Sequence, residues 1–318
     1  MMNQSISIDA AYCKDASDRI AANIEKVVIG KHDTVMTAVC ALFCEGHMLL
    51  EDVPGVGKTL LAKALGASLG FSCGRIQCTS DLLPSDVLGV NIYNRKIEDF
   101  VFRPGPVNNN IVLIDEINRA NPKTQSALLE CMEERQVTSD GVSMRLPRPF
   151  MIIATQNPIE YDGTFPLPEA QLDRFFVRAS LGYPDLDSEF LILDQKEGEK
   201  SESLMPADPL PDLRAIQKFT ENVFVSDSVK NYILEIVRST RKDSSVFLGA
   251  SPRASIALQR AARAFAVMNG RNYVTPDDVK KAAHPVLDHR IRMAYGGRGN
   301  NPASVFTDKI LASVSVPV

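Results

Sequence analysis

The sequence contains no long hydrophobic run. Its longest apolar stretch, residues 35–44, has about ten residues before Glu45, whereas a membrane-spanning helix needs about 20. The amino terminus also lacks the cationic start and the apolar segment of a signal peptide. We therefore expect a chain without a membrane span, located in the cytoplasm with reduced thiols.

Charge of one sign and metal-binding patterns are also scarce. The 35 Lys and Arg residues against 39 Asp and Glu give a net charge of −4, without an extended basic run. This composition disfavours a protein that coats nucleic acid. The histidines show no ligand spacing, and the cysteines lack the tight spacing of a zinc knuckle. We interpret the cysteines as structural thiols and the histidines as structural or surface residues.

Short apolar runs alternate with helical patterns in the first part of the chain. Several of these runs show no alternation of polar and apolar residues, which is typical of strands buried on both faces of a parallel sheet. They lie at residues 47–52, 75–78, 111–115, 150–155 and 175–181. We predict that residues 1–183 form one α/β domain, with helices at 14–28 and 32–45 before the first strand. A hairpin is expected at 137–148.

Helical patterns replace the strand patterns after residue 184. They cover residues 187–198, 212–223, 227–242, 252–269 and 276–288, with a Pro-rich linker at 206–211. Ser226, Ser251 and Thr275 precede helices as N-cap residues, and the last two are followed by proline at the first helical position. We predict no strand from residue 186 onward and assign residues 184–318 to a small all-helical domain.

A phosphate-binding loop is the most specific motif. It consists of Pro54, Gly55, Val56, Gly57, Lys58 and Thr59, between a predicted strand and a predicted helix. In that context the glycine backbone N–H groups can surround phosphates, the lysine can reach the terminal phosphates, and the threonine can ligate Mg²⁺. Asp52 replaces the first glycine of the signature G-x-x-x-x-G-K-[ST]. Because that position mainly turns the chain out of the strand, we expect the loop to form nevertheless.

Polar residues follow two other predicted strands. Asp115 and Glu116 follow an apolar run, at the strand end where α/β sheets bind ligands. We expect Asp115 to hold Mg²⁺ through water and Glu116 to polarise the attacking water. Asn157 follows the strand at 150–155 and could orient water against the γ-phosphate, although Asn-Pro is also an ordinary turn.

The order of these features resembles the MoxR family of AAA+ ATPases. A lysine loop is followed by an Asp-Glu strand, a strand before an asparagine, and the sequence LDRF at 172–175. The segments that carry the resemblance are 51–59, 80–89 (SDLLPSDVLG), 115–135 (DEINRANPKTQSALLECMEER), 154–160 (ATQNPIE) and 166–175 (PLPEAQLDRF). The resemblance covers nearly the whole chain. It implies an AAA+ P-loop NTPase αβα core with a five-stranded parallel sheet, followed by an all-helical lid.

The resemblance also implies roles for individual residues. Asn157 is similar to the sensor that positions water, Arg174 to the arginine finger donated to a neighbouring subunit's γ-phosphate, and Arg253 to the sensor arginine of the lid. The residues implied in nucleotide binding are Val28, Ile29, Gly30, Pro54, Gly55, Val56, Gly57, Lys58, Thr59 and Leu60. The first three of these resemble the segment that packs against adenine, and Thr59 and Asp115 are the implied metal ligands.

Family membership would imply ATP and Mg²⁺ as ligands and assembly into a ring, usually a hexamer. Family members act as chaperone-like remodellers, often with von Willebrand A-domain partners that help to mature other proteins or insert their cofactors. The alternatives are the ATPase subunit of a magnesium-chelatase-like complex, a nucleic-acid motor, and a scaffold that binds nucleotide without hydrolysis. Intact Lys58, Asp115, Glu116 and Arg174 disfavour the scaffold.

Several charged residues have two interpretations. Arg253 lies in the first turn of a predicted helix, where the dipole disfavours a cation, so it either has an anionic partner or is a solvated surface residue. Arg174 could simply pair with Asp173 at the surface. Arg119 and Lys123 could face an adjacent subunit or cap the following helix.

Overall fold

The computed structural model describes residues 8–53, 55–139, 141–157, 163–194, 206–207, 211–294 and 302–317. Some predictions fall partly or wholly outside these ranges. They concern Pro54 of the phosphate loop, residue 140 of the expected hairpin, residues 158–160 of a family segment, the end of the helix expected at 187–198, and residues 208–210 of the linker.

Five strands of the core form one parallel sheet. In chain order the strands are β1 (Met48–Glu51), β2 (Cys73–Gln77), β3 (Gly89–Asn94), β4 (Asp99–Pro104), β5 (Ile111–Asp115), β6 (Gln136–Ser139), β7 (Val142–Arg145), β8 (Met151–Gln156), β9 (Val177–Ala179), β10 (Val246–Leu248) and β11 (Arg292–Met293). Five of them pair in the order β2-β5-β8-β1-β9, and every pairing is parallel. All five predicted runs become these strands, so the predicted sheet is confirmed.

Three antiparallel pairs lie outside the central sheet. The β6–β7 hairpin confirms the one expected at 137–148, whereas the β3–β4 hairpin was not predicted. β10 and β11 also pair, so the expectation of no strand after residue 186 is wrong. In the described part of the lid, which is mainly helical, this pair forms a small separate sheet. Its Phe247 and Leu248 are exposed and lack the pattern of a buried strand.

Helices surround the sheet and form most of the lid. They are α1 (Ala10–Glu25), α2 (His32–Phe43), α3 (Lys58–Leu69), α4 (Pro84–Leu88), α5 (Pro122–Glu134), α6 (Glu169–Leu172), α7 (Leu186–Asp194), α8 (Leu213–Glu221), α9 (Asp227–Ser239), α10 (Pro252–Met268), α11 (Pro276–Leu287) and α12 (Pro302–Ser313). The predicted helices are present with small shifts at their ends, and α12 was not predicted. Within the part of the chain described above, no helix is both long and apolar enough to cross a membrane.

Alternate residues of the central strands face opposite sides of the sheet. In β1, Met48 and Leu50 belong to one apolar cluster with α1, α2, α3 and the lid helices, whereas Leu49 belongs to a second cluster with α5. In β5, Leu113 and Ile114 divide between the same two clusters. Both faces are therefore buried, as the uninterrupted apolar runs predict, and one continuous apolar cluster joins the amino-terminal helices to the lid.

The parallel sheet has two chemically different edges. Its carboxyl edge, where the strands end, aligns Glu51 with Gln156 and Gln77 with Asp115. Its amino edge, where the strands begin, includes His47, whose carbonyl accepts a hydrogen bond of 2.9 Å from the backbone N–H of Phe176. Residues that follow strands therefore gather at one edge, and residues that precede them gather at the other.

The predicted N-cap residues of α9 and α10 make different contacts. Ser226 caps α9 as expected, because its hydroxyl accepts from the backbone N–H of Val229 at 3.3 Å. Ser251 occupies the N-cap position of α10 as predicted, but its hydroxyl makes no capping hydrogen bond. Its hydroxyl donates to Oδ2 of Asp173 at 2.9 Å instead. This bond fixes the first turn of α10 beside the segment that precedes β9.

Candidate functional site

The predicted phosphate loop connects β1 to α3 at the carboxyl edge. Gly55 and Gly57 adopt φ angles of +87° and +95°, a region that favours glycine. A Cβ atom at either position would meet no atom within 4 Å, so the loop backbone faces open space. Gly57 directly precedes α3, which begins at Lys58. A helix amino terminus and a lysine together favour an anion at this position.

The side chains of the loop divide between polar and apolar contacts. Nζ of Lys58 donates to the carbonyl oxygen of Asp52 at 2.8 Å, across the start of the loop. Val56 and Leu60 are half-buried and pack against the apolar cluster that contains α1 and α2. Thr59 is half-buried in the first turn of α3. The loop is therefore supported by the core while its backbone stays accessible.

Asp52 is a buried anchor for the chain that follows β9. Its side chain is only 5% exposed. Oδ1 accepts from the Ser180 hydroxyl at 2.6 Å and from the Gly182 backbone N–H at 2.9 Å, while Oδ2 accepts from the Leu181 backbone N–H at 2.6 Å. The carboxylate that replaces the signature glycine thus holds residues 180–182 in place. The chain still turns out of β1 at this position, as expected.

We expect Asp52→Gly, which restores the signature glycine, to destabilise the protein by about 2–4 kcal/mol. The substitution leaves the donors of Ser180, Leu181 and Gly182 without their charged acceptor, and the loss of hydrogen bonds to a charged group is costly. Asp52→Asn, which keeps the size and one acceptor oxygen, should cost less. Urea denaturation of the three proteins measures the difference. Equal stability of Asp52→Gly and the natural chain would contradict the anchoring role.

The segment expected to contact adenine lies beside this anchor. Val28 is buried in the apolar cluster, and Gly30 is exposed with φ of +70°. A Cβ atom on Gly30 would come within 2.1 Å of the Ser188 hydroxyl of α7, so only glycine fits there. Nearby, the Thr34 hydroxyl donates to the Ser180 carbonyl at 2.8 Å. Because Ser180 also bonds Asp52, Thr34 connects the chain after this segment to the start of the phosphate loop. Ile29, between Val28 and Gly30 in the chain, is half-buried.

Asp115 ends β5 and is paired with a residue that the sequence did not reveal. Its carboxylate, 8% exposed as a residue, accepts from Nε of Arg75 at 2.7 Å. Arg75 lies on the neighbouring strand β2. An arginine inside a strand that is predicted to be buried is the sequence signal that could have indicated an acidic partner. Burial, with the carboxylates of Asp115 and Glu116, raises the pKa of the Cys78 thiol to about 12. The thiol below the site is therefore neutral.

Glu116 has a strained backbone. Its φ of +56° and ψ of +54° are left-handed, which is uncommon for a residue other than glycine and clusters at functional sites. Its N–H donates to the Thr155 hydroxyl at 2.9 Å, and its carboxylate accepts from Arg119 at 3.0 Å and from Gln77 at 3.3 Å. The carboxylate is therefore held at the carboxyl edge by contacts from two sides.

Neither Arg119 nor Lys123 caps the helix that follows them, α5. Arg119 pairs with Glu116 of its own chain. The cap of α5 is Asn121, whose Oδ1 accepts from the backbone N–H groups of Lys123 and Thr124 at 3.1 Å each. Neither cationic side chain is therefore the cap of this helix.

The oxygen atoms of the carboxyl edge suit ATP with Mg²⁺. Thr59 lies in the first turn of α3 beside the loop, Asp115 ends β5, and Asn157, 5% exposed, follows β8. Among the residues that the structure describes, the buried Oε1 of Gln156 finds no hydrogen-bond partner, and neither does Oδ1 of Asn118, two residues after Glu116. Mg²⁺ prefers such oxygen donors and usually keeps water and phosphate oxygens as further ligands.

Arg174 and Arg253 lie at the amino edge, away from these residues. Arg174 lies two residues before Phe176, whose N–H bonds the His47 carbonyl. Both arginines contact one carboxylate in the last turn of α5: Glu133 Oε1 accepts from Arg253 at 2.9 Å, and Oε2 lies 3.2 Å from Arg174. Arg253 thus has the anionic partner that its helix position suggested.

Asp173 does not pair with Arg174, which was the alternative interpretation. It pairs instead with Arg290 of the lid, whose Nε donates to Oδ1 at 2.7 Å. Arg290 is 7% exposed and also donates to the carbonyls of Phe175 and Phe176. The acidic residue of the LDRF segment therefore joins the core to the lid, and the arginine after it points to a different partner.

The fold and the order of these elements define the AAA+ class of nucleotide-binding proteins. The family model described as "ATPase family associated with various cellular activities (AAA)" matches residues 47–177, and the model of an AAA lid domain matches residues 238–309. A crystal structure of a Cytophaga hutchinsonii protein assigned as an ATPase superposes with a TM-score of 0.88 at 37% identity, covering 97% of both chains.

Relatives over nearly the full length identify the family more closely. The chain is 38% identical to Chaperone MoxR1 of Mycobacterium tuberculosis over 94% of this chain and 82% of that protein. It is 32% identical to Protein MoxR of Paracoccus denitrificans over 99% of both. An uncharacterized Bacillus subtilis protein, YeaC, is 50% identical over 93% of both. The chain belongs to the MoxR family of AAA+ ATPases.

Proposed function

We propose that this chain binds ATP with Mg²⁺ and hydrolyses it to remodel partner proteins. The observation that carries the proposal is the gathering of the glycine loop, Lys58, Asp115 and Glu116 at one edge of the sheet. Such an edge is where α/β proteins bind phosphates and catalyse their transfer. The similarity to a protein named Chaperone MoxR1 supports a remodelling role.

Each residue at the carboxyl edge has one task in this proposal. The loop backbone, Lys58 and the start of α3 bind the phosphates, and the segment from Val28 to Gly30 lies against the adenine. Thr59 and Asp115 hold Mg²⁺, which when bound neutralises charge that develops on the phosphates. Glu116 accepts a proton from the attacking water, and Asn157 orients that water.

The position of the two arginines supports a site shared between chains. Arg174 and Arg253 lie at the amino edge, so they complete the site of a neighbouring chain rather than their own. A closed ring, a hexamer by the resemblance to the family, gives every chain such a neighbour. Arg253 therefore acts with the finger on the same neighbouring nucleotide.

The remaining parts of the proposal rest on the resemblance and on composition. We assign residues 1–183 to the nucleotide-binding core and residues 184–318 to the lid. A von Willebrand A-domain partner and client proteins, including proteins that require cofactor insertion, are the proposed targets. The net charge of −4 supports protein rather than nucleic acid as the target.

Lys58→Ala should weaken ATP binding by about two orders of magnitude, because hydrogen bonds to charged groups contribute about 1.5–3 kcal/mol each. Lys63→Ala is the matched control, since Lys63 is an exposed lysine of the same helix. Isothermal titration calorimetry with ATP and Mg²⁺ measures both affinities. An unchanged affinity of Lys58→Ala would show that the loop does not bind the phosphates.

A further inference from the structure

We propose that Glu133 is a positioning residue that holds Arg174 and Arg253 as one pair for the phosphates of a nucleotide bound to a second copy of this chain. The inference rests on the proposed function, in which both arginines act on the neighbouring chain. It adds the residue that sets their spacing, an acidic side chain in the last turn of α5.

The carboxylate of Glu133 bridges the guanidinium groups of Arg174 and Arg253. The two oxygens of Glu133 are divided between the two arginines, at 2.9 Å to Nη2 of Arg253 and 3.2 Å to Nη2 of Arg174. The arginines come from distant parts of the chain, one just before β9 and the other in the first turn of α10. One carboxylate therefore fixes the separation between two guanidinium groups that the chain does not otherwise link.

The backbones that carry the two arginines are already fixed. Asp173, the residue before Arg174, accepts from the hydroxyl of Ser251, two residues before Arg253, at 2.9 Å. It also pairs with the buried Arg290 at 2.7 Å. These contacts hold the segment before β9 and the start of α10 together, so what remains to be set is the direction of the two long side chains. Glu133 sets it.

The local charge leaves room for an anion. Glu133, Arg174 and Arg253 line a cleft of about 210 Å³. Two other acidic groups among the described residues line it, and each has its own arginine: Glu45 pairs with Arg135, and Asp173 with Arg290. His47 contributes no charge, because burial lowers its pKa to about 4. Within the described lining of this cleft, Glu133 is therefore the carboxylate that Arg174 and Arg253 share.

The chemistry of these two groups selects phosphate. Each guanidinium carries five N–H donors in a planar fork, of which the bridge to Glu133 uses only a part. The side chains of Arg174 and Arg253 are 30% and 53% exposed, so their remaining donors can reach a ligand. Paired arginines match phosphate oxygens well. The nearest source in the proposed ring is the triphosphate of the adjacent chain.

Glu133→Gln tests the bridge with little change in size. The amide oxygen can accept from one arginine, but the amide NH₂ repels the other, so the pair loses its spacing. We expect ATP turnover to fall by about 10²-fold, since small misplacements of groups at a reacting centre have effects of this size. ATP affinity of the isolated chain should not change, because the phosphate loop lies at the other edge. Glu133→Asp should recover part of the turnover.

The control and the mixing experiment separate positioning from a general structural role. Glu134→Gln changes the next, exposed residue of the same helix and should keep full turnover. Mixed with Lys58→Ala chains, Glu133→Gln should regain activity above the sum of the two, because intact arginines then face intact loops. Mixed with Arg174→Ala chains it should regain none, since both variants are defective on the arginine side.

Three results would overturn the inference. The first is Glu133→Gln turnover equal to or above that of the natural chain while Arg174→Ala is inactive, which leaves the proposed function intact. The second is failure of Lys58→Ala to restore Glu133→Gln, in mixtures where sedimentation shows co-assembly and Arg174→Ala is restored. The third is full activity of Arg174→Ala, which would remove the proposed function together with the inference.

Discussion

Arg174→Ala should reduce ATP turnover by about 10³–10⁵-fold, the range found for arginines that stabilise transferring phosphates. Arg174 lies at the amino edge, where Glu133 holds it, whereas the loop that binds nucleotide in the same chain lies at the carboxyl edge. In the proposed ring, Arg174 therefore acts on the nucleotide of the neighbouring chain. ATP affinity measured on the isolated chain should therefore stay unchanged. Turnover at concentrations that give rings, compared with calorimetric affinity, measures the two effects separately.

The matched control for this substitution is Arg238→Ala, which removes an exposed arginine from α9 of the lid. It should retain full turnover. Mixing Arg174→Ala with Lys58→Ala should restore part of the activity, because some interfaces then pair an intact loop with an intact arginine. Mixtures of co-assembled variants that never exceed the sum of their separate activities would contradict the shared site.

Glu116→Gln should leave ATP affinity nearly unchanged and slow turnover by about 10²–10⁴-fold, the usual contribution of a positioned general base. The amide keeps the size of the side chain and can still contact Arg119 and Gln77, but it cannot accept the proton of the attacking water. Single-turnover hydrolysis of ATP measures this step without product release.

Glu130→Gln, in the exposed face of α5, is the control for Glu116→Gln and should hydrolyse ATP normally. Unchanged single-turnover hydrolysis by Glu116→Gln would assign the base to another residue. Because slow hydrolysis prolongs the ATP-bound state, affinity purification of Glu116→Gln with ATP should also retain client proteins. Recovery of nucleic acid instead would contradict the proposed remodelling of proteins.

The core strands could be predicted because they are buried on both sides. β1, β5 and β8 consist almost entirely of apolar residues, since neither face of the sheet meets water. The β3–β4 hairpin gave no such signal, because Tyr93 and Phe100 are exposed by 51% and 66%. β10 and β11 are too short, at three and two residues, for any periodicity to be recognised.

The parts of the candidate site that are contiguous in sequence could be predicted, whereas contacts between residues far apart in sequence could not. The phosphate loop and the Asp115-Glu116 pair are contiguous in sequence, so their residue types and spacing predict where they lie. The partners of Asp52 are 128–130 residues away, and Glu133 meets Arg253 across 120 residues. Such contacts result from the topology of the sheet and the placement of the lid, which no local spacing encodes.

In the proposed function, one chain holds only part of a catalytic site. The ATPase activity per chain of the natural protein, measured over a range of concentrations together with sedimentation velocity, tests this most directly. We expect activity near zero where the protein is monomeric and a steep rise that coincides with ring formation. Constant activity per chain across the transition from monomer to ring would contradict it.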